Sequence, residues 1–543
     1  MLPLLSKKNK YLLAGLFIAF VSLIYTSCDI TNPTKGLAVI FNTLSVQTSA
    51  SVNFVDAATS QQIGLSTQRN VYVTITGPDK DKVVNQQDQS LTSATTSTGL
   101  LNIGIRNDVT PSPSNPIRIN IVAQSDGYIL TSRPVTIQST GNRSLTINMV
   151  DMNNPPLGSI AAQVSNVRPN SSGQLPSPVT VQTNREPLSN GDASITINSG
   201  TTIRDASGNP LTGNLTVNAT YFSNKSDQST RSLPTGSNVS TITQSGNTQR
   251  GFFQVASFAS YNVVNQSGQT GRNFSNPVNL SITLPSDTRN PQSQNNLRNG
   301  DAVPIWSYDE SNGQWRQETT ATAVGPDSRG NYSVSFPANH LSWWVAAWLQ
   351  TGNQVCVKDS LVIDITGSYS ALLLKVKAPT LGLLFETNVT SSQNHFKFED
   401  VTLPANLPVV VEAYNLLECP EELVGSVAIP DLCSVSNIVL PVNLGSGRND
   451  VEVNISASCR DRDPVLTIQP SGYNIFIKSC NQDINVGMLN NGYIKLGGLR
   501  LSQTESYTFA IEYKGKKYYK DTTVTQTSYN IQYSLDNETC SEF

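Results

Sequence analysis

Apolar and polar positions alternate along most of this chain in short runs. Val71-Tyr72-Val73-Thr74-Ile75, Ile117-Arg118-Ile119-Asn120-Ile121-Val122 and Leu215-Thr216-Val217-Asn218-Ala219-Thr220-Tyr221 are examples. Each is rich in β-branched residues and puts every second side chain on one face, the pattern of a half-buried strand. Gly, Asn, Asp, Ser and Pro interrupt the runs at roughly the eight- to twelve-residue spacing of antiparallel β-sandwiches. No amphipathic helical period follows the first 28 residues. At 543 residues the chain exceeds one ordinary domain. The expectation is an all-β protein of tandem antiparallel β-sandwich modules.

The N-terminus breaks the alternation. Lys7, Lys8 and Lys10 precede an unbroken apolar run, Tyr11 to Ile24, and then Tyr25-Thr26-Ser27-Cys28. A basic start, an apolar stretch, small residues and a cysteine are the layout of a signal helix with a processing site. As a helix the run would rise about 21 Å, short of the roughly 30 Å hydrocarbon core. The residues before Cys28 resemble the lipobox of exported bacterial lipoproteins, with Tyr25 where Leu is usual. The resemblance implies that 1–27 is removed, that Cys28 is acylated, and that the lipid membrane is a partner through it. Two or more acyl chains suffice for stable anchoring. The implied location is the outer membrane, lipid-anchored, on its periplasmic or surface face. Residues 28–45 then serve as a tether.

Composition refines this. Loss of the leader's three lysines moves the formal charge from −3 to −6. That argues against a nucleic-acid partner, which calls for a basic stripe. Charged residues are only 14%, and abundant Ser, Thr, Asn and Gln suit strands whose outer faces meet solvent. Apart from Cys28 the cysteines are Cys356, Cys419, Cys433, Cys459, Cys480 and Cys540, all in the last third. An even number in an exported chain points to three disulfides. Zinc is disfavoured: there is no C-x-x-C pair, and the only histidines are His340 and His395.

Four modules are expected. The first spans 46–153; its stretch NPIRINIVAQSDGY (115–128) and closing strand Ser144 to Val150 resemble the carboxypeptidase regulatory-like domains, which are transthyretin-like, Ig-like sandwiches. Asn153-Asn154-Pro155-Pro156 forms a linker. In 157–350, the run from Gly300 through Pro304-Ile305-Trp306-Ser307-Tyr308-Asp309-Glu310 to Trp315, then His340-Leu341-Ser342-Trp343-Trp344, is similar to a module of cartilage intermediate layer proteins. That resemblance implies a non-catalytic extracellular β-architecture. Residues 354–447 and 448–543 look like two copies of one unit. Cys356-Val357-Lys358-Asp359 corresponds to Cys459-Arg460-Asp461-Arg462-Asp463, and Val401 to Tyr414 corresponds to Leu499 to Tyr513. Three cysteines per copy require at least one bridge between copies if all are oxidised.

Candidate chemistry is sparse. All five tryptophans, 306, 315, 343, 344 and 348, fall within 43 residues. They form either a sugar-stacking platform or a core, and two apolar faces around Trp343 to Trp348 favour core. Trp315, after the Asn312-Gly313 turn, is the expected exposed ligand contact. His340 and His395 lack a nucleophile motif. Asp309-Glu310, Asp461 with Asp463, and Asp79 with Asp81 look like solvated turns, without a calcium-loop pattern. Lys514 to Lys520 suits an exposed hairpin with edge lysines. No catalytic set, metal or cofactor is expected. The sequence favours a non-enzymatic envelope lipoprotein presenting its modules for adhesion to glycan, matrix or another envelope protein. The alternative is a carbohydrate-binding accessory lipoprotein using exposed Trp.

Overall fold

The computed structural model describes residues 46–535 and Cys540, apart from 65–66, 86–87, 392–393, 460–465, 481, 505 and 514–515. The signal helix, Cys28 and the tether lie outside the described residues, as do Asp461 and Asp463. Nearly every described element is a strand, as the alternation predicts. No helix among the described residues is long and apolar enough to cross a membrane.

The described residues build four sandwiches, and three of them share one wiring. In the first, Thr48–Asp56 pairs antiparallel with Leu100–Ile105 and parallel with Gly141–Met149. The facing sheet runs Ser93–Thr96, Val71–Thr76, Ile117–Gln124, Thr131–Ile137. In the third, Val355–Thr366 pairs antiparallel with His395–Pro404 and parallel with Asn437–Pro441. In the fourth, Arg448–Cys459 does the same with Tyr493–Arg500 and Ser528–Ser534. Their second sheets also match: Gly382–Thr390, Ala371–Ala378, Val409–Asn415, Glu422–Ile429, against Gln482–Met488, Asn474–Ser479, Ser506–Tyr513, Lys516–Thr523. Two expectations are corrected here. The sheets are not wholly antiparallel, since the first and last strands of each unit run side by side. Cys356 and Cys459 are also not equivalent: one opens its strand, while the other closes the matching strand.

The second sandwich is larger. A five-stranded sheet faces an eight-stranded one whose spine is the 18-residue strand Thr248–Asn265. That strand carries Leu215–Ser223 on one side and Trp343–Gln350 on the other.

The modules do not form an extended row. The first touches all three others. Its Asn120 Nδ2 donates to the Glu310 carbonyl at 2.8 Å, and its Leu130 carbonyl accepts from Trp343 Nε1 at 2.8 Å. Toward the third module, the Gln138 N–H donates to Glu399 Oε2 at 3.1 Å, with Arg143 beside the same carboxylate. Second and third modules are joined by Lys377–Asp227 at 2.8 Å and Arg231–Glu386 at 3.4 Å, the latter pair almost buried. Part of the neutral polar surface is therefore used between modules rather than against water.

Candidate functional site

The aromatic segment reads in sequence as a ligand platform or a core, with core favoured, and its geometry is that of a core. In Trp343–Gln350, Trp344, Ala346 and Trp348 point into the interior of the second sandwich. Trp343, Val345 and Ala347 point the opposite way, into a second cluster shared with Ala57, Ile129 and Val150 of the first module. A strand presents alternate residues to opposite faces, so one apolar run serves two cores. All five tryptophans are buried. Trp315 corrects the expectation of exposure. It is 0% exposed, donates from Nε1 to Thr235 Oγ1 at 2.9 Å, and packs on Tyr308 and Phe253 with centroids at 4.9 and 5.7 Å. It follows the hairpin turn, but Thr248–Asn265 and the first module cover that face, which the local sequence does not register.

The other sequence candidates are bound into local structure. His340 lies against the Trp344 ring at 5.1 Å, and burial, with Arg316 and Arg272 nearby, holds its imidazole below the usual value despite Glu318. His395 Nδ1 pairs with Asp364, whose other oxygen takes Asn437. Asp309 closes its own turn, accepting from the Ser311 N–H at 2.9 Å. Glu310 is buried beside Arg272, where desolvation raises its carboxyl. Asp79 accepts from the Arg118 N–H at 2.7 Å and binds Lys82 at 2.8 Å. Among the described residues no group of His, Cys, Asp and Glu could hold a metal ion.

The six cysteines pair as Cys356–Cys433, Cys419–Cys480 and Cys459–Cys540, with Cα separations of 5.7, 5.9 and 5.6 Å. Cys419–Cys480 joins the third module to the fourth, as three cysteines per unit require. Arg448 reinforces that junction by pairing with Glu418.

The surface best arranged for contact is one that sequence reasoning missed. Two loops at one end of the second sandwich, residues 185–192 and 324–331, are tied together by Arg185. Its Nε donates to Asp192 Oδ1 at 2.8 Å, and its Nη1 pairs with Asp327. Asn331 Nδ2 donates to the Asn190 carbonyl at 2.8 Å. Burial tends to raise both carboxyls, but hydrogen bonds from Thr283, Gln182 and Arg185 to Asp192, and from Arg185, Asn331 and Arg329 to Asp327, leave both below the ordinary value of 3.8. On these fixed loops Leu188 is 65% and Val324 62% exposed. Loops held by a rigid scaffold are common carriers of contacts. The sequence signal that could have pointed to it is Arg185 in the turn-rich stretch Asn184-Arg185-Glu186-Pro187.

Residues 203–350, all within this second sandwich, match the family described as FAM171A1/A2/B, N-terminal. The matched region overlaps the one resembling cartilage intermediate layer proteins. No curated protein matches the chain. Among solved structures, the chain is similar to GBS52, the minor pilin of Streptococcus agalactiae, at 9% identity over 33% of this chain and 94% of that one, TM-score 0.13. It is also similar to the B1B2 repeats of the collagen-binding protein CNA of Staphylococcus aureus, at 11% identity over 90% and 98%, TM-score 0.13. At such scores the architecture rests on the strand pairings themselves.

Proposed function

We propose that this protein is a non-catalytic, lipid-anchored scaffold of the bacterial envelope, held through acylated Cys28 and presenting the loop end of its second sandwich to another envelope protein. One observation carries the reading. The Arg231–Glu386 and Lys377–Asp227 pairs are spent on joining the second and third modules, while Arg185 fixes two loops that display Leu188 and Val324 to solvent. Such an arrangement suits a rigid, partly apolar contact. Three disulfides fit an oxidising compartment outside the cytoplasm. The glycan-platform alternative loses its basis, because it needed an exposed tryptophan and all five are buried.

The test has two arms. Cys28→Ala should abolish detergent partitioning of the mature protein; unchanged partitioning would remove the anchor. Photo-crosslinkers placed at Leu188 and Val324 in cells should capture an envelope protein. Capture from Tyr72, an exposed side chain on the first module, but not from these two positions would move the contact elsewhere.

A further inference from the structure

The first and last modules meet face to face, so the described chain folds back on itself. The outer side of the sheet holding Thr48–Asp56 lies on the outer side of the sheet holding Asn474–Ser479. Leu100, Phe476 and Ala510 are buried between them. Asn474 Nδ2 donates to Ser51 Oγ at 2.9 Å and to Asn102 Oδ1 at 3.0 Å.

Beside this neutral contact sits a dry, unbalanced charge cluster. Lys517 Nζ lies 2.9 Å from Asp483 Oδ2, 2.8 Å from Gln62 Oε1 and 4.2 Å from the centre of the Phe476 ring. The side chains of Lys517 and Asp483 are 2% and 6% exposed. Glu512 is buried next to them. Its Oε1 accepts from Thr98 Oγ1 at 3.1 Å, and its Oε2 has no hydrogen-bond partner among the described residues. The Tyr519 hydroxyl donates to Asp483 Oδ2 at 2.8 Å. From the first module the contacts to these groups come from neutral Thr98 and Gln62. Among the described residues, one lysine thus faces two carboxylates where a buried unpaired charge is costly.

We propose that this face is a proton-dependent clasp: the first and fourth modules stay docked while Glu512 carries a proton and separate when it ionises. Desolvation, and then the Asp483 charge, raise the Glu512 carboxyl to about 7, against the opposing pull of Lys517 and Thr98. In an undocked fourth module the carboxyl returns toward its ordinary 4.5. The docked form therefore binds more protons. Its advantage is complete below pH 4.5 and is lost as pH rises through about 7. That difference corresponds to roughly a 300-fold change in the docking equilibrium. Each module keeps its own core, so opening need not unfold either one.

Thiol labelling of the full disulfide-bonded chain carrying Leu100→Cys, a position buried between the two modules, tests this. Its labelling rate is compared with that of the same chain carrying Glu512→Gln at each pH, so that intrinsic pH effects cancel. The ratio should be near 1 at pH 5 and climb by about two orders of magnitude by pH 8.5. A flat ratio overturns the clasp. Should Glu512→Gln fail to fold, Asp483→Asn serves instead. It leaves one carboxylate for one lysine, so it should slow labelling of Leu100→Cys at pH 8.5 relative to the chain that keeps Asp483, and equal labelling of the two chains overturns the proposal.

Discussion

Replacing Trp315 by alanine should destabilise the second sandwich by about 4 kcal/mol. A fully buried tryptophan removes about 150–250 Å² from water, and at about 25 cal/mol per Å² that is about 4–6 kcal/mol before relaxation. Large-to-small core changes of this type cost about 3–5 kcal/mol. The truncation takes away packing against the Tyr308 and Phe253 rings and the hydrogen bond to Thr235. The hydrogen bond can be separated from the packing. Trp315→Phe keeps an aromatic ring but drops the N–H, and should cost about 1–2 kcal/mol. Thr235→Val strands the buried indole N–H, at about 1–3 kcal/mol. The double variant should cost less than the sum, because the orphaned donor is then gone. Chemical denaturation followed by intrinsic fluorescence suits the question, since all five tryptophans sit in 306–348 and report on this module. A shift below about 1 kcal/mol for Trp315→Ala would refute the packing argument. So would loss of glycan binding at an unchanged midpoint, which would restore the platform reading.

Two further outcomes follow from named residues. Removing Cys419–Cys480 by a double serine substitution opens a 61-residue loop and should lower stability by about 4 kcal/mol on the chain-entropy model; paired calorimetry of the two proteins checks it, and the third and fourth modules should melt less cooperatively. The Asp192 and Asp327 carboxyls are held below 3.8, so their contribution is present above that value and fades as pH falls through the lowered one. Proteolysis within 185–192 should therefore increase in acid with an acid-stable protease, whereas Arg185→Met should be cut readily at pH 7, and equal cutting of both chains at pH 7 would count against the loop tie.

The period-two alternation determined that this chain is built of β-sandwiches, because a strand with one buried face must repeat every second residue. The correspondence of Val401–Tyr414 with Leu499–Tyr513 revealed a repeated unit, since the same core must be filled twice. The odd cysteine count in each copy required a bridge between them. What the sequence left open was decided by surfaces that meet only in three dimensions. The same alternation that buries Val52 and Phe54 leaves Ser51 facing out, and nothing local says whether water or Asn474 will meet it. Trp315 follows a turn and looked exposed until a distant strand and another module covered it. Lys517 looked like a solvated edge lysine, yet docking of the first module made it one of the most deeply buried charges described. The shared wiring of the first, third and fourth modules was equally hidden, because strand order depends on long-range pairing that residue periodicity does not encode.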